Sequence, residues 1–264
     1  MLRPLALTVP PSPMVRISQS RFEMGSTAKE VVDAFGQCGR EPHGRRCRLE
    51  EFSHERPVRR VTLATFRIDR FEVSVRDYRN CVRVGRCQPV PRRGRARRFE
   101  RAELPMTLVR WQDANDYCSF RGARLPTEAE FERASAGPHR RKYPWGALYD
   151  SRLGNHGRLA TDRTDSADGY RELAPVDSFR EGSTPNGITN LSGNASEWVW
   201  DRYAVEYDRQ DVINPKGPIS SAASAFRVVR GGSYTSARTS LRSTARDYAA
   251  PTDRALDRGF RCAE

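Results

Sequence analysis

Residues 186–200, Asn-Gly-Ile-Thr-Asn-Leu-Ser-Gly-Asn-Ala-Ser-Glu-Trp-Val-Trp, place three asparagines, two glycines, a carboxylate and two tryptophans in fifteen positions. Asn186-Gly187 and Gly193-Asn194 are turn dipeptides, because both residue types accept a positive φ that strains most side chains. The backbone there must fold tightly. The side-chain oxygens of Asn190 and Glu197, joined by the carbonyls of Gly193 and Ala195, form the all-oxygen donor set that calcium takes. Trp198 and Trp200 would anchor that loop to a core. An Asx-rich loop that satisfies its own backbone, without a metal, fits the same local sequence equally well.

Other stretches offer chemistry less directly. Phe226–Val229 reads as a strand that runs through Arg230 into a tight Gly231-Gly232-Ser233 turn. Arg92, Arg93, Arg95, Arg97 and Arg98 form a basic run that reads first as a solvated loop, and second as a surface for an anionic partner such as phosphate, polysaccharide or lipid headgroup. Glu128, Glu130 and Glu132 follow Thr127, whose hydroxyl pairs with Glu130 in a capping box, each satisfying an orphan N–H of the first helical turn. With no histidine or second carboxylate matched to them, these acids read as structural rather than as acid-base groups.

The elements that must position these residues are short. Alternation with β-branched residues predicts strands at Met14–Ile17, after Arg21, at Val61–Ala64 and at Phe66–Asp69. Helices are expected at Lys29–Phe35, from the Ser74 cap through Tyr78 to Val84, at Gln112–Arg121 and after Thr127, with a short strand at Leu108–Trp111. Residues 36–57 read as a long loop that a Cys38–Cys47 bridge would tie. Residues 137–185 show little periodicity. So long a loop inside a domain needs a ligand, metal or disulfide to hold it, and it contains no cysteine, which favours a metal. Tyr203–Ala225 reads as a polar insert.

The 264 residues suffice for a substantial core, and 37% hydrophobic against 30% charged residues describes a polar, loop-rich globular protein. Residues 1–13 read as a disordered lead-in and 14–264 as one domain, without internal repeats or linkers. Of 46 basic residues only Lys29, Lys142 and Lys216 are lysines, within a net charge of +13. That skew reflects base composition of the genome more readily than selection for nucleic acid, where both residues and interleaved aromatics are expected. Six cysteines fall as Cys38 with Cys47, Cys81 with Cys87, and Cys118 with the distant Cys262. An even count permits fifteen pairings. No Cys-x-x-Cys or His-Cys arrangement suits zinc, so disulfides are the better reading. Disulfides point to periplasm or cell exterior, although the apolar run Leu5–Val9 is too short for a signal peptide or membrane span.

Six blocks, taken together, resemble the formylglycine-generating enzyme family, also called sulfatase-modifying factor domains. They are Met24-Gly25-Ser26, Leu125–Glu132, Trp145-Gly146, Asn190–Trp198, Arg230–Ser233 and Gly259–Cys262. The resemblance spans about residues 14–263. It implies an irregular α+β fold, a variant of the C-type lectin fold with little regular secondary structure. It implies calcium at Asn190, Gly193, Ala195 and Glu197, and a second calcium at Asn155, His156, Asp168 and Tyr170, with His156 and Tyr170 serving through backbone oxygens. It also implies a Cys118–Cys262 disulfide.

Active members of that family are copper-dependent oxidases that convert a sulfatase cysteine to formylglycine with two cysteines following the Gly-Gly-Ser turn. Soft thiolate sulfur is what binds Cu(I). Here Ser236 matches the first cysteine, the second position is missing or falls near Leu241, and no cysteine lies between Cys118 and Cys262. Copper is therefore not expected, nor is formylglycine oxidase activity. The expected function is an extracytoplasmic domain that binds a ligand or protein in a groove beside Ser233, Tyr234, Ser236, Arg238 and Arg242. The alternative is an enzyme of the same family with different or retained oxidative chemistry, of the formylglycine-generating or siderophore-maturation type.

Overall fold

The computed structural model describes residues 12–264 except 93, 159–162, 208, 209, 211, 219–224 and the side chain of Arg95. In its first half the elements are β1 (Met14–Ile17), β2 (Ser20–Met24), α1 (Ala28–Gly39), α2 (Glu50–Ser53), β3 (Arg59–Leu63), β4 (Phe66–Asp69) and α3 (Val75–Arg83). The second half adds α4 (Trp111–Phe120), α5 (Glu128–Ala136), β5 (Ser196–Arg202), β6 (Val212–Ile213), β7 (Arg227–Arg230), β8 (Arg246–Ala249) and β9 (Arg258–Phe260). Three small sheets result: β1-β4, β2-β3-β6 and β8-β7-β5-β9. The last is antiparallel except for β5 beside β9, which places Glu197 opposite Gly259 and Trp198 opposite Phe260. This is the irregular α+β arrangement expected.

β5 is the wall shared by two cores. Successive strand residues point to opposite faces, and here Trp198 packs with Tyr78, Tyr117 and Phe260 while Val199 packs with Phe22, Ile68 and Phe131. Burial on both faces explains the unbroken apolar Trp-Val-Trp run, which lacks polar alternation. The Cys118–Cys262 disulfide ties α4 to the chain just beyond β9, Cys81–Cys87 closes the end of α3, and Cys38–Cys47 fastens the end of α1.

Two expectations need correction. Residues 36–57 are not one loop. The Thr27–Glu30 capping box starts α1 early, and Val31, Ala34 and Cys38 carry its apolar face onto Phe52 of α2, so the helix persists to Gly39. Leu108–Trp111 is not a strand: Leu108 adopts φ 64°, and the amides of Leu108 and Trp111 donate to the carbonyls of Ala255 and Pro251. Tertiary bonds there override local propensity, and Trp111 begins α4. Ser12 and Pro13 of the lead-in bond to the backbone of Phe71 and Arg70; the rest of it, with Arg93 and much of the polar insert, lies outside the described residues. Among the described residues no helix is long and apolar enough to cross a membrane.

Where ladders are scarce, buried ion pairs register the chain. Arg230 meets Glu132 at 2.5 Å, Arg246 meets Glu128 at 2.8 Å, Arg242 meets Glu55 at 2.5 Å and Arg121 meets Asp69 at 2.6 Å. Burial of a charge is costly unless its remaining bonding capacity is filled. Accordingly Glu132 also accepts from the Gly25 amide, Glu128 from the Tyr207 hydroxyl and Glu55 from the Ser26 hydroxyl. Burial pushes the Glu55 and Glu128 carboxyls up, but the guanidiniums of Arg242 and Arg246 outweigh it and hold both below the ordinary value. The α5 acids are thus structural, as their capping context implies.

Candidate functional site: two loop clamps and a cleft

Three loops interlock around Gly193. Asn190, Gly193 and Asn194 all take positive φ, at 54°, 93° and 64°. A Cβ on Gly193 would stand 2.2 Å from the Asn155 carbonyl oxygen, so only glycine fits. The Gly193 amide donates to Gly231 O, the Asn194 amide to Asn155 O, and the Tyr234 amide to Asn194 O. The 155, 190 and 231 loops are therefore one assembly.

Each of the two expected calcium sets contains one unpaired side-chain oxygen. Among buried side-chain atoms without a hydrogen-bond partner are Asn155 Oδ1 and Asn190 Oδ1, one in each set. Such orphans are rare in folded proteins and point to a missing acceptor's partner. In the second set, Asp168 accepts from the backbone amides of His156 and Tyr170, which draws those residues around one carboxylate. Burial raises the Asp168 pKa, an effect that a cation would reverse. In the first set, Asn190 Nδ2 donates to Glu72, and Glu197 is wholly buried against Arg261. Glu72 is pushed up to about 8 by burial and then by the Glu197 charge, while both Glu197 carboxylate oxygens accept from Arg261. Asn190, Gly193, Ala195 and Glu197 would hold one calcium, and Asn155, His156, Asp168 and Tyr170 the other. A bound calcium would supply fixed positive charge that pins loops lacking secondary structure.

A cleft of about 880 Å³ opens beside the same assembly. Its lining includes Gly231, Gly232, Ser233, Thr235, Ser236 and Ser240. Ser233 Oγ and Thr235 Oγ1 donate to Asp257 Oδ2 at 2.8 and 2.6 Å, and Ser236 Oγ accepts from the Ser233 amide at 3.0 Å. Of the expected groove residues, Ser233, Ser236 and Arg242 line the cleft, Arg242 already being paired with Glu55. Tyr234 packs inward on Phe99, and Arg238 turns to Glu41 and the Tyr149 ring. Leu241 is fully buried.

A sulfatase-modifying factor enzyme 1-like domain matches residues 6–264. The chain belongs to that family. It is 38% identical over 177 residues to the formylglycine-generating enzyme of Bos taurus, a match covering 62% of this chain and 45% of that protein. The chain thus spans less than half the length of that relative. It is 29% identical over 299 residues to the inactive C-alpha-formylglycine-generating enzyme 2 of Mus musculus, covering 95% of this chain and 85% of the other. Among solved structures, PvdO of Pseudomonas aeruginosa superposes with a TM-score of 0.69 at 25% identity, covering 95% of this chain and 93% of PvdO. Relatives of this sulfatase-modifying factor domain therefore carry both the active and the inactive name.

The basic run is partly committed to the fold. Arg92 donates to Phe99 O and Thr107 O, Arg98 pairs with Glu172, and Arg97 stands exposed. Arg93 and the Arg95 side chain lie outside the described residues. Sequence reasoning missed the opposite wall of the cleft, which Glu50, Glu51, His54, Tyr203, Asp247 and Tyr248 line. These residues come from three distant segments with no shared motif, so no local signal marks them.

Proposed function

We propose that this family member is a binding domain rather than a formylglycine oxidase. The carrying observation is the composition of the cleft. Hydroxyls of Ser233, Thr235, Ser236 and Ser240 line the turn where copper-binding thiols are implied for active members. All six cysteines are tied in three disulfides, Cys38 of the Cys38–Cys47 bridge itself lining the cleft, and no free cysteine exists. A serine hydroxyl stays protonated near neutral pH and is a hard donor, so it does not replace a thiolate toward Cu(I). What remains is a concave site of ligand size, backed by loops that two calcium ions would pin. Three disulfides support a setting in the periplasm or outside the cell. Residues 14–264 act as one domain in this reading.

The purified protein, loaded with copper and incubated with a cysteine-containing sulfatase peptide, is expected to leave the peptide mass unchanged. Appearance of the formylglycine mass would overturn the proposal. In the same reading, Ser236→Trp places a bulky ring at the cleft's glycine-rich wall and is expected to reduce retention of small molecules from cell extracts, as seen by mass spectrometry; unchanged retention would count against the cleft.

A further inference from the structure

The wall of the cleft formed by α2 and β8 has a chemistry of its own. His54, which caps the C-terminus of α2, lies with its Nδ1 3.0 Å from the Tyr203 hydroxyl. Tyr203 stacks on Tyr248 with ring centroids 4.2 Å apart, and Phe226 meets Tyr248 edge-on at 5.2 Å. Tyr203 is buried, whereas Tyr248, on the edge strand β8, remains 43% exposed despite two ring contacts. The inner end of this stack already carries a cation: the Arg246 guanidinium sits 5.0 Å from the Tyr203 ring centroid. The outer end, Tyr248, offers a second aromatic surface to whatever enters the cleft. Aromatic faces attract cations through their quadrupole.

The local charge has the same sign preference. The cationic groups at this end are engaged, Arg242 with Glu55 and Arg246 with Glu128. Burial and then the Arg246 charge hold the His54 pKa below its ordinary value, so the imidazole adds no positive charge near neutral pH. Glu50 and Glu51 lie one helical turn before His54, and Asp247 precedes Tyr248. Among the described residues none of these three carboxylates pairs with a cationic side chain. Glu51 accepts the Arg48 amide and Asp247 the Tyr248 amide. Three carboxylates without a cationic partner thus line the same cleft as an exposed tyrosine, on a chain of net charge +13.

We infer that the α2–β8 end of the cleft is a subsite for a cationic group, an ammonium or guanidinium, seated on Tyr248 and flanked by Glu50, Glu51 and Asp247. The inference rests on the cleft-binding reading above and names the chemistry of its ligand. The group would come from a free organic cation or from a basic side chain of a peptide.

Isothermal titration calorimetry separates these. Agmatine probes the free cation, acetyl-Gly-Arg-Gly-amide the peptide side chain, and the citrulline version of that peptide is the neutral control. At least one cationic probe is expected to bind and the citrulline peptide to bind at least tenfold more weakly or not at all. Tyr248→Ala is expected to weaken the cation by about tenfold and Tyr248→Phe to retain it. Glu50→Gln combined with Glu51→Gln is expected to weaken it further at low salt than at high salt. Absence of binding by both cationic probes, or equal affinity for arginine and citrulline peptides, overturns the subsite. Binding that survives Tyr248→Ala but is lost in Ser236→Trp overturns the subsite and leaves the cleft reading standing; binding indifferent to both changes overturns both.

Discussion

Arg261 and Glu197 meet wholly inside the protein, Nε and Nη2 lying 2.8 and 2.7 Å from the two carboxylate oxygens. The same guanidinium donates to Thr189 O and Asp69 O, so one side chain joins β5, β4 and the Asn190 loop. Glu197→Gln leaves that guanidinium buried against a neutral amide. A loss of about 3–5 kcal/mol is expected in urea unfolding, because breaking one partner of a buried pair strands the other. A loss below about 1 kcal/mol would show that Arg261 finds other compensation.

Calcium is expected to raise the melting temperature, and chelator to lower it. At a hundredfold excess over Kd, binding to the folded state alone is worth about 2.7 kcal/mol. Asp168→Ala should remove the part contributed by the Asn155 loop and leave that of the Asn190 loop. Identical melting with and without chelator would remove both sites.

Asp201 gives the pH dependence. Its carboxyl, buried and accepting the Glu128 amide at 2.8 Å, is pushed up to about 8 by burial and then by the Glu128 charge. The folded pKa lies above the unfolded value of 3.8, so between about pH 4 and pH 8 the native state holds the extra proton. This contribution to stability is complete below that window and falls as pH rises through it. Asp201→Asn should flatten the decline of melting temperature from about pH 5 to pH 8. An unchanged slope would show that Asp201 ionises freely in the fold.

Removing the Cys118–Cys262 bridge, by changing both to alanine, releases a loop with a sequence separation of 144. The chain-entropy account gives a cost of roughly 4–5 kcal/mol. Urea unfolding of the double variant checks it, and a midpoint equal to that of the parent would refute the entropic account here.

How much of this was legible in the sequence follows from the range of each interaction. Ser74 and Thr127 cap their helices through bonds three residues long, and those helices stand where the caps put them. The glycine-rich turns at 193 and 231 were likewise local, set by backbone conformation. By contrast, Leu108 takes its conformation from Ala255, and the cleft wall of His54, Tyr203 and Tyr248 brings together residues up to 194 positions apart. The arginine excess read only as a net charge. Its structural share emerged once Arg230, Arg242, Arg246 and Arg261 were seen paired with acids 98, 187, 118 and 64 positions away.

The segment after Asp257 holds more of the molecule shut than its length suggests. β9 zips onto β5, Arg261 neutralises Glu197, Cys262 takes Cys118, and the Ala263 amide donates to Arg124 O. A nascent chain stalled before residue 258 would display β5 with an open flank, an uncompensated interior acid and a dangling thiol. Loss of these last residues would therefore open the sheet edge, the interior ion pair and the longest disulfide together rather than merely shorten the domain.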